Sequence, residues 1–238
     1  SLSKTHLGND LMQEMNKKII DKDNNKESEY GPIHSNRFNV NPNANKRIWV
    51  VDDFYEDPLA VRKHALSQTY HDDPGYLGKR TRKQWFFDGM KEKFEETLGK
   101  KITKWEHYGM NGRFQSNIAG TKLVYHCDEQ SYAAAIYLTP YAPYWTGTSF
   151  WAYKHYNPGN LGSAHSIRHD SHPDLNQAFP IGKETFVDRS PYDLVDVVGN
   201  VFNRLVLWDA GLIHSASEYC GWDLESSRLF QIFFFDAE

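Results

Sequence analysis

Two histidines and one aspartate are the residues of this sequence whose types and spacing best suit metal chemistry. His126 and Asp128 are separated by one residue and follow the strand-like run 123–125. Because side chains two apart on a strand point to the same side, both are expected to face one way and Cys127 the other. Two imidazoles and one carboxylate hold a divalent ion such as Fe(II) while leaving other coordination positions open.

The second histidine of such a site must come from a strand that returns late in the chain. His214 meets this requirement, since residues 205–208 form an apolar run and one turn separates them from residues 212–214. We therefore predict that His126, Asp128 and His214 hold one metal ion. The alternative for each histidine is an ordinary packed strand residue.

Two other His-x-Asp pairs compete with this assignment. His71 and Asp73 lie in a turn-like composition, and His172 and Asp174 flank Pro173, which cannot donate to a strand ladder. A further cluster, formed by the histidines at 165, 169 and 172, lies in polar surroundings that favour a loop. We interpret that loop as lining a substrate entrance, with metal binding there as the alternative.

An arginine begins the last strand predicted from the sequence. Arg228 shares one face of this strand with Phe230, Ile232 and Phe234. A guanidinium on an otherwise apolar face is costly to bury unless it pairs with an anion. Its planar fork matches a carboxylate, so Arg228 is a candidate for binding an organic acid.

The elements that would position these residues are mostly strands. Residues 48–51 form a short apolar run, and helices are predicted near Pro58 and Met90. After Lys101, short apolar and aromatic runs alternate with Gly, Pro and Asn. The predicted strands are 102–108, 113–118, 123–128, 132–138, 149–153, 195–198, 204–208, 212–214 and 228–235. This pattern indicates a mainly β domain.

The pattern also suggests where the domain begins and where a long loop lies. Residues 1–46 are predicted to be an N-terminal extension with a short helix and an irregular segment, and residues 47–238 the main domain. Residues 156–192 show little periodicity, and loops this long are usually functional. We expect this segment to act as a lid that shapes substrate access.

Composition narrows the functional classes. The chain has a net charge of −4, so it lacks the overall basic surface that nucleic-acid binding requires. The two cysteines are too few for a disulfide scaffold, and neither a signal peptide nor an apolar stretch of membrane-spanning length is visible. We expect a soluble, cytoplasmic protein that binds no membrane. The local basic cluster 79–83 is interpreted as a solvated loop, with contact to an acidic partner as the alternative.

From residue 48 onward the sequence resembles the Fe(II)/2-oxoglutarate-dependent dioxygenase superfamily, especially its prolyl-4-hydroxylase-like branch and uncharacterised oxygenase-like proteins of phages and bacteria. The matching segments are Trp49-Val50-Val51-Asp52-Asp53-Phe54, His126-Cys127-Asp128, Ile136-Tyr137-Leu138, Gly147-Thr148-Ser149-Phe150, Asn203-Arg204-Leu205-Val206-Leu207-Trp208 with His214, and Arg228-Leu229-Phe230. The resemblance implies a double-stranded β-helix, or jelly roll, supported by the N-terminal helices.

The resemblance also implies roles for individual residues. His126, Asp128 and His214 would be the Fe(II) ligands, and 2-oxoglutarate and O2 would be the co-substrates. Arg228 would pair with the distal carboxylate of 2-oxoglutarate, and Tyr137 would contact the same group. Many relatives carry Ser or Thr where this chain has Phe230, which increases the importance of Tyr137.

The implied reaction is the oxidation, usually hydroxylation, of an organic substrate. A peptide or protein side chain and a small molecule both remain open as the substrate. The competing hypothesis is a non-catalytic, cupin-like jelly-roll module that binds a metal or another ligand.

Overall fold

In a computed structural model of the chain, antiparallel strands form two sheets that face each other. The description covers residues 46–73, 76–153, 187–190 and 192–238, and every element below belongs to the unit Arg47–Glu238. The predicted N-terminal extension and most of the predicted lid lie outside the described residues. The predicted division at residue 46 therefore stays a prediction.

Within the described residues, eleven strands and two α-helices are present. The helices are α1 (Pro58–Leu66) and α2 (Met90–Leu98). The strands are β1 (Ile48–Val51), β2 (Tyr70–Asp72), β3 (Lys79–Thr81), β4 (Ile102–Lys104), β5 (Arg113–Asn117), β6 (Tyr132–Tyr137), β7 (Thr148–Tyr153), β8 (Tyr192–Val198), β9 (Leu205–Asp209), β10 (Ile213–Ala216) and β11 (Arg228–Ala237).

The larger sheet has the order β1-β9-β6-β11-β5-β3-β2, and β4 also pairs with β11. The smaller sheet has the order β10-β7-β8. All the pairings are antiparallel, and most neighbours are distant in the sequence. The protein is therefore mainly β with the two-sheet architecture of a double-stranded β-helix, as the sequence predicted.

One face of the larger sheet packs against both helices. Asp57 caps α1 by accepting a hydrogen bond from the backbone N–H of Ala60 (3.0 Å), and Gly99 ends α2 in the left-handed conformation (φ 69°). Phe94 of α2 lies 4.9 Å, ring centre to ring centre, from Phe233 of β11. This face forms the largest buried apolar cluster of the described residues.

The other face of the larger sheet points towards the smaller sheet. Alternation along β6 and β11 decides which side chains lie there: Ala135 and Phe234 face this side, whereas Ala134 and Phe233 face the helices. Phe150 of β7 closes part of the gap from the opposite sheet. The remaining space between the sheets is the place where a site can form.

Several predicted elements are confirmed and others need correction, including the turn predicted at His71, which lies in β2 because it pairs with Arg80 of β3. Both helices and the strands near 48–51, 113–117, 132–137 and 205–209 are present as predicted. The predicted strand 102–108 ends at Lys104, and residues 123–128 make only one isolated bridge, because the segment pairs with β10 at a single point. The basic cluster is not simply a solvated loop, since Lys79–Thr81 is β3.

None of the helices in the described segments is both long and apolar enough to cross a membrane.

Candidate metal centre

Backbone pairing brings the predicted metal ligands together. The N–H of His126 donates to the carbonyl oxygen of His214 (3.1 Å), and the N–H of His214 donates to that of His126 (2.9 Å). Two residues on, the N–H of Asp128 donates to Ala210 (2.8 Å). The segment around residue 126 is thus an extra edge beside β10, and this edge holds His126 and Asp128 beside His214.

The side chains converge at short distances. His126 Nε2 lies 3.5 Å from Asp128 Oδ1, and His214 Nε2 lies 3.3 Å from Asp128 Oδ2. One potential ligand atom from each residue falls within 4.8 Å of the others. Among the described residues, this is the only group of three or more His, Cys, Asp or Glu side chains with such spacing. His71 and Asp73, the described rival pair, do not form one.

Hydrogen bonds to the backbone orient both imidazole rings. Nδ1 of His214 lies 2.9 Å from the carbonyl oxygen of Leu212, and Nδ1 of His126 lies 3.3 Å from that of Val124. Because a carbonyl oxygen only accepts, the proton of each neutral ring belongs on Nδ1. The lone pair of each Nε2 then points towards Asp128, which is the arrangement that metal-binding histidines commonly use.

The consequence is that three lone-pair donors face each other. Asp128 Oδ2 is buried and has no hydrogen-bond donor among the described residues. An ionised carboxylate and two Nε2 atoms without protons repel one another unless a cation lies between them. This donor set fits a divalent metal ion, and Fe(II) accepts two imidazoles with one carboxylate.

The protonation states agree with metal binding at neutral pH. Burial and the neighbouring His214 lower the pKa of His126 to about 4, although Asp128 acts in the opposite direction. Burial alone would raise the pKa of Asp128, but hydrogen bonding and positive charge from the histidines, when these are protonated in acid, hold it below its usual value. His126 is therefore neutral and Asp128 ionised near pH 7, as metal ligands must be.

A cavity of about 880 Å³ opens between the sheets beside these residues. This volume lies within the range typical of small-molecule sites. His126, Asp128 and His214 lie on its wall, as does Arg228. Further along, the wall is apolar and includes Trp208, whose ring centre lies 4.9 Å from that of His214.

Arg228 is a buried cation in this cavity. Its side chain is held by backbone carbonyls, since Nε donates to Thr146 (2.6 Å) and Nη2 donates to Gly147 (3.0 Å). A Cβ on Gly147 would lie 1.8 Å from the carbonyl oxygen of Val198. Only glycine therefore allows the two backbone segments to lie this close together. No carboxylate of the described residues pairs with Arg228.

Tyr137 lies close to Arg228 but behind the cavity wall. Its ring centre is 5.3 Å from Cζ of Arg228, and its hydroxyl shares a 2.7 Å hydrogen bond with Thr148 Oγ1. Tyr137 is fully buried, whereas Thr148 lines the cavity and lies 3.4 Å from Arg228 Nη2. A direct contact from Tyr137 to a ligand stays a prediction, and Thr148 is a lining residue that the sequence did not single out.

The sequence interpretation also missed Arg80. The neighbouring cations Lys79, Arg82 and Lys83 are exposed, as expected for a solvated cluster, but Arg80 is 9% exposed and lines the cavity. Its burial depends on the pairing of β3 with β5, which a local pattern does not reveal. The histidines at 165, 169 and 172 lie outside the described residues.

With the fold and site described, comparison with known proteins identifies the family. The model of the family described as "Family of unknown function (DUF6445)" matches residues 35–219, so the chain belongs to this family. No functionally curated protein matches the sequence.

Several solved structures are similar at low identity. HygX from Streptomyces hygroscopicus, with nickel, 2-oxoglutarate and hygromycin B bound, is 12% identical (TM-score 0.48; 81% of this chain and 83% of that chain covered). A prolyl hydroxylase from Trichoplax adhaerens, in complex with a hypoxia inducible factor peptide, is 10% identical (TM-score 0.43; 82% and 85%). AviO1 from Streptomyces viridochromogenes Tue57 is 10% identical (TM-score 0.44; 79% and 90%). The bound ligands are properties of those proteins.

Proposed function

We propose that this protein is an Fe(II)- and 2-oxoglutarate-dependent oxygenase that oxidises an organic substrate. The observation that carries the proposal is the convergence of three lone-pair donors, His126, Asp128 and His214, on one wall of a cavity. The same cavity contains a buried arginine, Arg228, that forms no ion pair with the described residues. A divalent cation satisfies the first group and an organic acid satisfies the second. An enzyme that uses both ligands together accounts for the whole arrangement.

Each of the three ligand residues has a defined task. The carbonyl oxygens of Leu212 and Val124 fix the two imidazole tautomers, so both Nε2 atoms are ready to bind the metal without rearrangement. Asp128 supplies the negative charge. When bound, iron together with 2-oxoglutarate and O2 supplies the oxidation of a C–H bond, coupled to decarboxylation of the oxo acid to succinate.

Arg228 is proposed to bind the distal carboxylate of 2-oxoglutarate, with Tyr137 contributing to the same site. The spacing along β7 gives the distance between the arginine and the metal ligand. Thr148 lies against Arg228, and Phe150, two residues further along the same strand, pairs with His214. Two residues of a strand span about 7 Å, a length close to that of a five-carbon diacid. The hydroxyl of Tyr137 orients Thr148, and the guanidinium supplies the charge.

The apolar part of the wall has the task of excluding water from the reacting groups. Trp208 packs against His214, and Phe230, Ile232 and Phe234 line the same side of the cavity. A dry wall strengthens the electrostatic interactions of the ligands and limits side reactions. We propose that the substrate is either a peptide or protein side chain or a small molecule, and that the protein acts in the cytoplasm.

The test is an anaerobic titration of 2-oxoglutarate into the Fe(II)-loaded protein, followed by its visible charge-transfer absorption. The parent protein is expected to give a saturable band, Asp128→Ala no band, and Arg228→Gln a band at concentrations of 2-oxoglutarate at least tenfold higher. Arg62→Gln is the matched control, because Arg62 also donates to backbone carbonyls, those of Leu138 and Glu225, but does not line the cavity.

A non-catalytic binding module predicts a different result. Such a protein would bind metal yet form no succinate from 2-oxoglutarate when oxygen is admitted. Succinate formation in the parent, and its loss in Asp128→Ala, would exclude the module. Metal binding that is unchanged in Asp128→Ala would contradict the proposed centre altogether.

A further inference from the structure

Arg80 is a second buried cation in the cavity, and the proposed oxygenase chemistry does not use it. It is the central residue of β3 and pairs with Gln115 of β5. Gln115 in turn pairs with Phe230 of β11, and Phe230 pairs with Tyr137 of β6. Residues directly opposite each other in antiparallel strands share a face, so Arg80 lies on the cavity side of the sheet.

The guanidinium of Arg80 is held in a fixed orientation. Nε donates to Gln115 Oε1 (2.6 Å), and the Gln115 amide donates to Asn117 Oδ1 (2.8 Å). The ring of Tyr76 covers one face of the guanidinium, with Cζ 4.0 Å from the ring centre. Gly78, at φ 94°, leads the chain into β3 beneath the Asn117 side chain, where a Cβ would clash.

This fixed cation has unmet hydrogen-bonding capacity. Nη1 is buried and has no acceptor among the described residues. Burial lowers the pKa of Arg80 and the negative charge of Asp73 acts in the opposite direction, and a guanidinium stays protonated in a protein. A desolvated cation with an unsatisfied N–H is expensive to bury, and a bound anion that accepts from Nη1 would offset that cost.

The backbones of Arg80 and Arg228 are separate in space. Arg228 pairs with Asn117 on β5, and Arg80 pairs with Gln115 of the same strand from its other side, so the two backbones are two strands apart, or about 10 Å. We therefore expect a 2-oxoglutarate molecule that binds Arg228 and the metal ion to leave Arg80 for another ligand.

Charge balance leads to the same conclusion. The charges of a divalent metal, Asp128, the two carboxylates of 2-oxoglutarate and Arg228 cancel. Among the described lining residues, Arg80 and the exposed Lys122 are then left without a counter-charge. The cavity that remains for the substrate is consequently positive, with its best-ordered charge at Arg80.

We propose that Arg80 is the binding subsite for an oxyanion, a carboxylate or phosphate, carried by the primary substrate. This inference rests on the proposed oxygenase function, since it assigns 2-oxoglutarate to Arg228 and leaves Arg80 for the second ligand. The substrate is therefore an organic acid or an acidic conjugate. The exposed amine of Lys122 attracts the anion towards the cavity, and the preorganised fork of Arg80 orients it.

The test uses the full chain loaded with Ni(II) in place of iron, and benzoate and phenyl phosphate as probes. Binding of each probe is measured by calorimetry with and without saturating 2-oxoglutarate in the parent, Arg80→Gln, Arg80→Lys and Arg62→Gln. The parent is expected to bind one or both probes on the order of millimolar even when 2-oxoglutarate is present. The stronger probe identifies the preferred oxyanion.

Arg80→Gln is expected to weaken probe binding at least tenfold and to leave the affinity for 2-oxoglutarate unchanged. Arg80→Lys should recover part of the loss, because it keeps the charge but not the fork, and Arg62→Gln should bind like the parent. Equal probe binding in Arg80→Gln and the parent would overturn the subsite. So would displacement of the probe by 2-oxoglutarate, since both would then share one cation.

Two further outcomes separate this inference from the proposed function. If Arg80→Gln loses 2-oxoglutarate while Arg228→Gln keeps it, Arg80 is the co-substrate anchor and the subsite assignment is wrong. If the parent does not bind 2-oxoglutarate, the proposed function fails. Arg80-dependent probe binding in an Arg228→Gln background would still support an anion site at Arg80. Urea unfolding of each variant confirms that it is folded before binding is compared.

Discussion

The two faces of the larger sheet are built from alternate residues of the same strands, yet one face is tightly packed and the other lines a cavity. On the face towards the helices, Phe94, Trp105, Phe233 and Phe235 pack ring against ring. On the face towards the smaller sheet, strand neighbours of these aromatic residues line a cavity. Tight apolar packing is concentrated on one face. The stability that this packing supplies allows polar groups that lack partners among the described residues to persist on the other face.

The consequence for the cavity face is a set of groups that destabilise the ligand-free protein. Asp128 Oδ2 and Arg80 Nη1 are both buried and have no hydrogen-bond partner among the described residues. Each such group costs about 1–3 kcal/mol. Ligands of opposite charge recover this cost, so binding and stability are coupled on this face.

The largest expected effect comes from emptying the helix-packed face. Phe233→Ala is expected to lower the free energy of unfolding by about 3–5 kcal/mol, because the ring is fully buried and its removal leaves a cavity. Phe234→Ala, one residue on and facing the cavity, should cost clearly less. Urea denaturation in the presence of EDTA measures both. Equal losses would show that the two faces do not differ in packing.

Overpacking gives a second matched pair on adjacent residues of β6. Ala134→Leu is expected to cost about 1–3 kcal/mol, because Ala134 is fully buried against the helix-packed core. Ala135→Leu points into the cavity, so it should leave the free energy of unfolding almost unchanged and weaken 2-oxoglutarate or substrate binding instead. Calorimetry and urea unfolding distinguish these outcomes. A destabilised Ala135→Leu with normal ligand binding would contradict the assignment of faces.

The sequence predicted most of what alternation and local signals determine. The period of two along residues 228–235 correctly separates Phe233 from Phe234, and Asp57-Pro58 and Gly99 correctly mark helix ends. The spacing of His126 and Asp128 indicated two side chains with one direction, which is also how the structure arranges them.

What the sequence could not predict depends on contacts between distant strands. Whether Arg80 is exposed or buried is decided by its pairing with Gln115, thirty-five residues away, and no local pattern records that pairing. The run 123–128 looked like a strand by composition, yet it pairs only at His126. Thr148, whose hydroxyl lines the cavity and shares a hydrogen bond with that of Tyr137, was not indicated by the sequence, since this contact joins two strands.

At Asp128 we expect a smaller change in the free energy of unfolding, and a gain where the core substitutions cause a loss. Asp128→Asn keeps the shape but removes the charge, and its amide donates to Nε2 of His214, so the metal-free protein should gain about 1 kcal/mol of stability. Metal affinity should fall at least 100-fold. Thermal unfolding with EDTA and with added metal measures the two effects. A less stable metal-free variant would mean that the carboxylate already has a partner in the absence of metal.

An effect of similar size is expected at Asp236, a carboxylate of β11 whose two oxygens both accept hydrogen bonds. Burial alone would raise its pKa, but hydrogen bonds from Ser131, Tyr108 and Lys104 outweigh burial and lower the pKa of Asp236 to about 2. Since the pKa in the unfolded chain is about 3.9, the charged form stabilises the fold above that pH, and this stabilisation disappears as the pH falls towards 2. Asp236→Asn should therefore lower the free energy of unfolding by about 1 kcal/mol at pH 7, opposite in sign to Asp128→Asn.

Urea unfolding between pH 7 and pH 2 tests this expectation, with the exposed Glu96→Gln as the control. The difference in the free energy of unfolding between Asp236→Asn and the parent should shrink below pH 4. A difference that does not depend on pH would mean that packing of the side chain, rather than its charge, stabilises this end of β11.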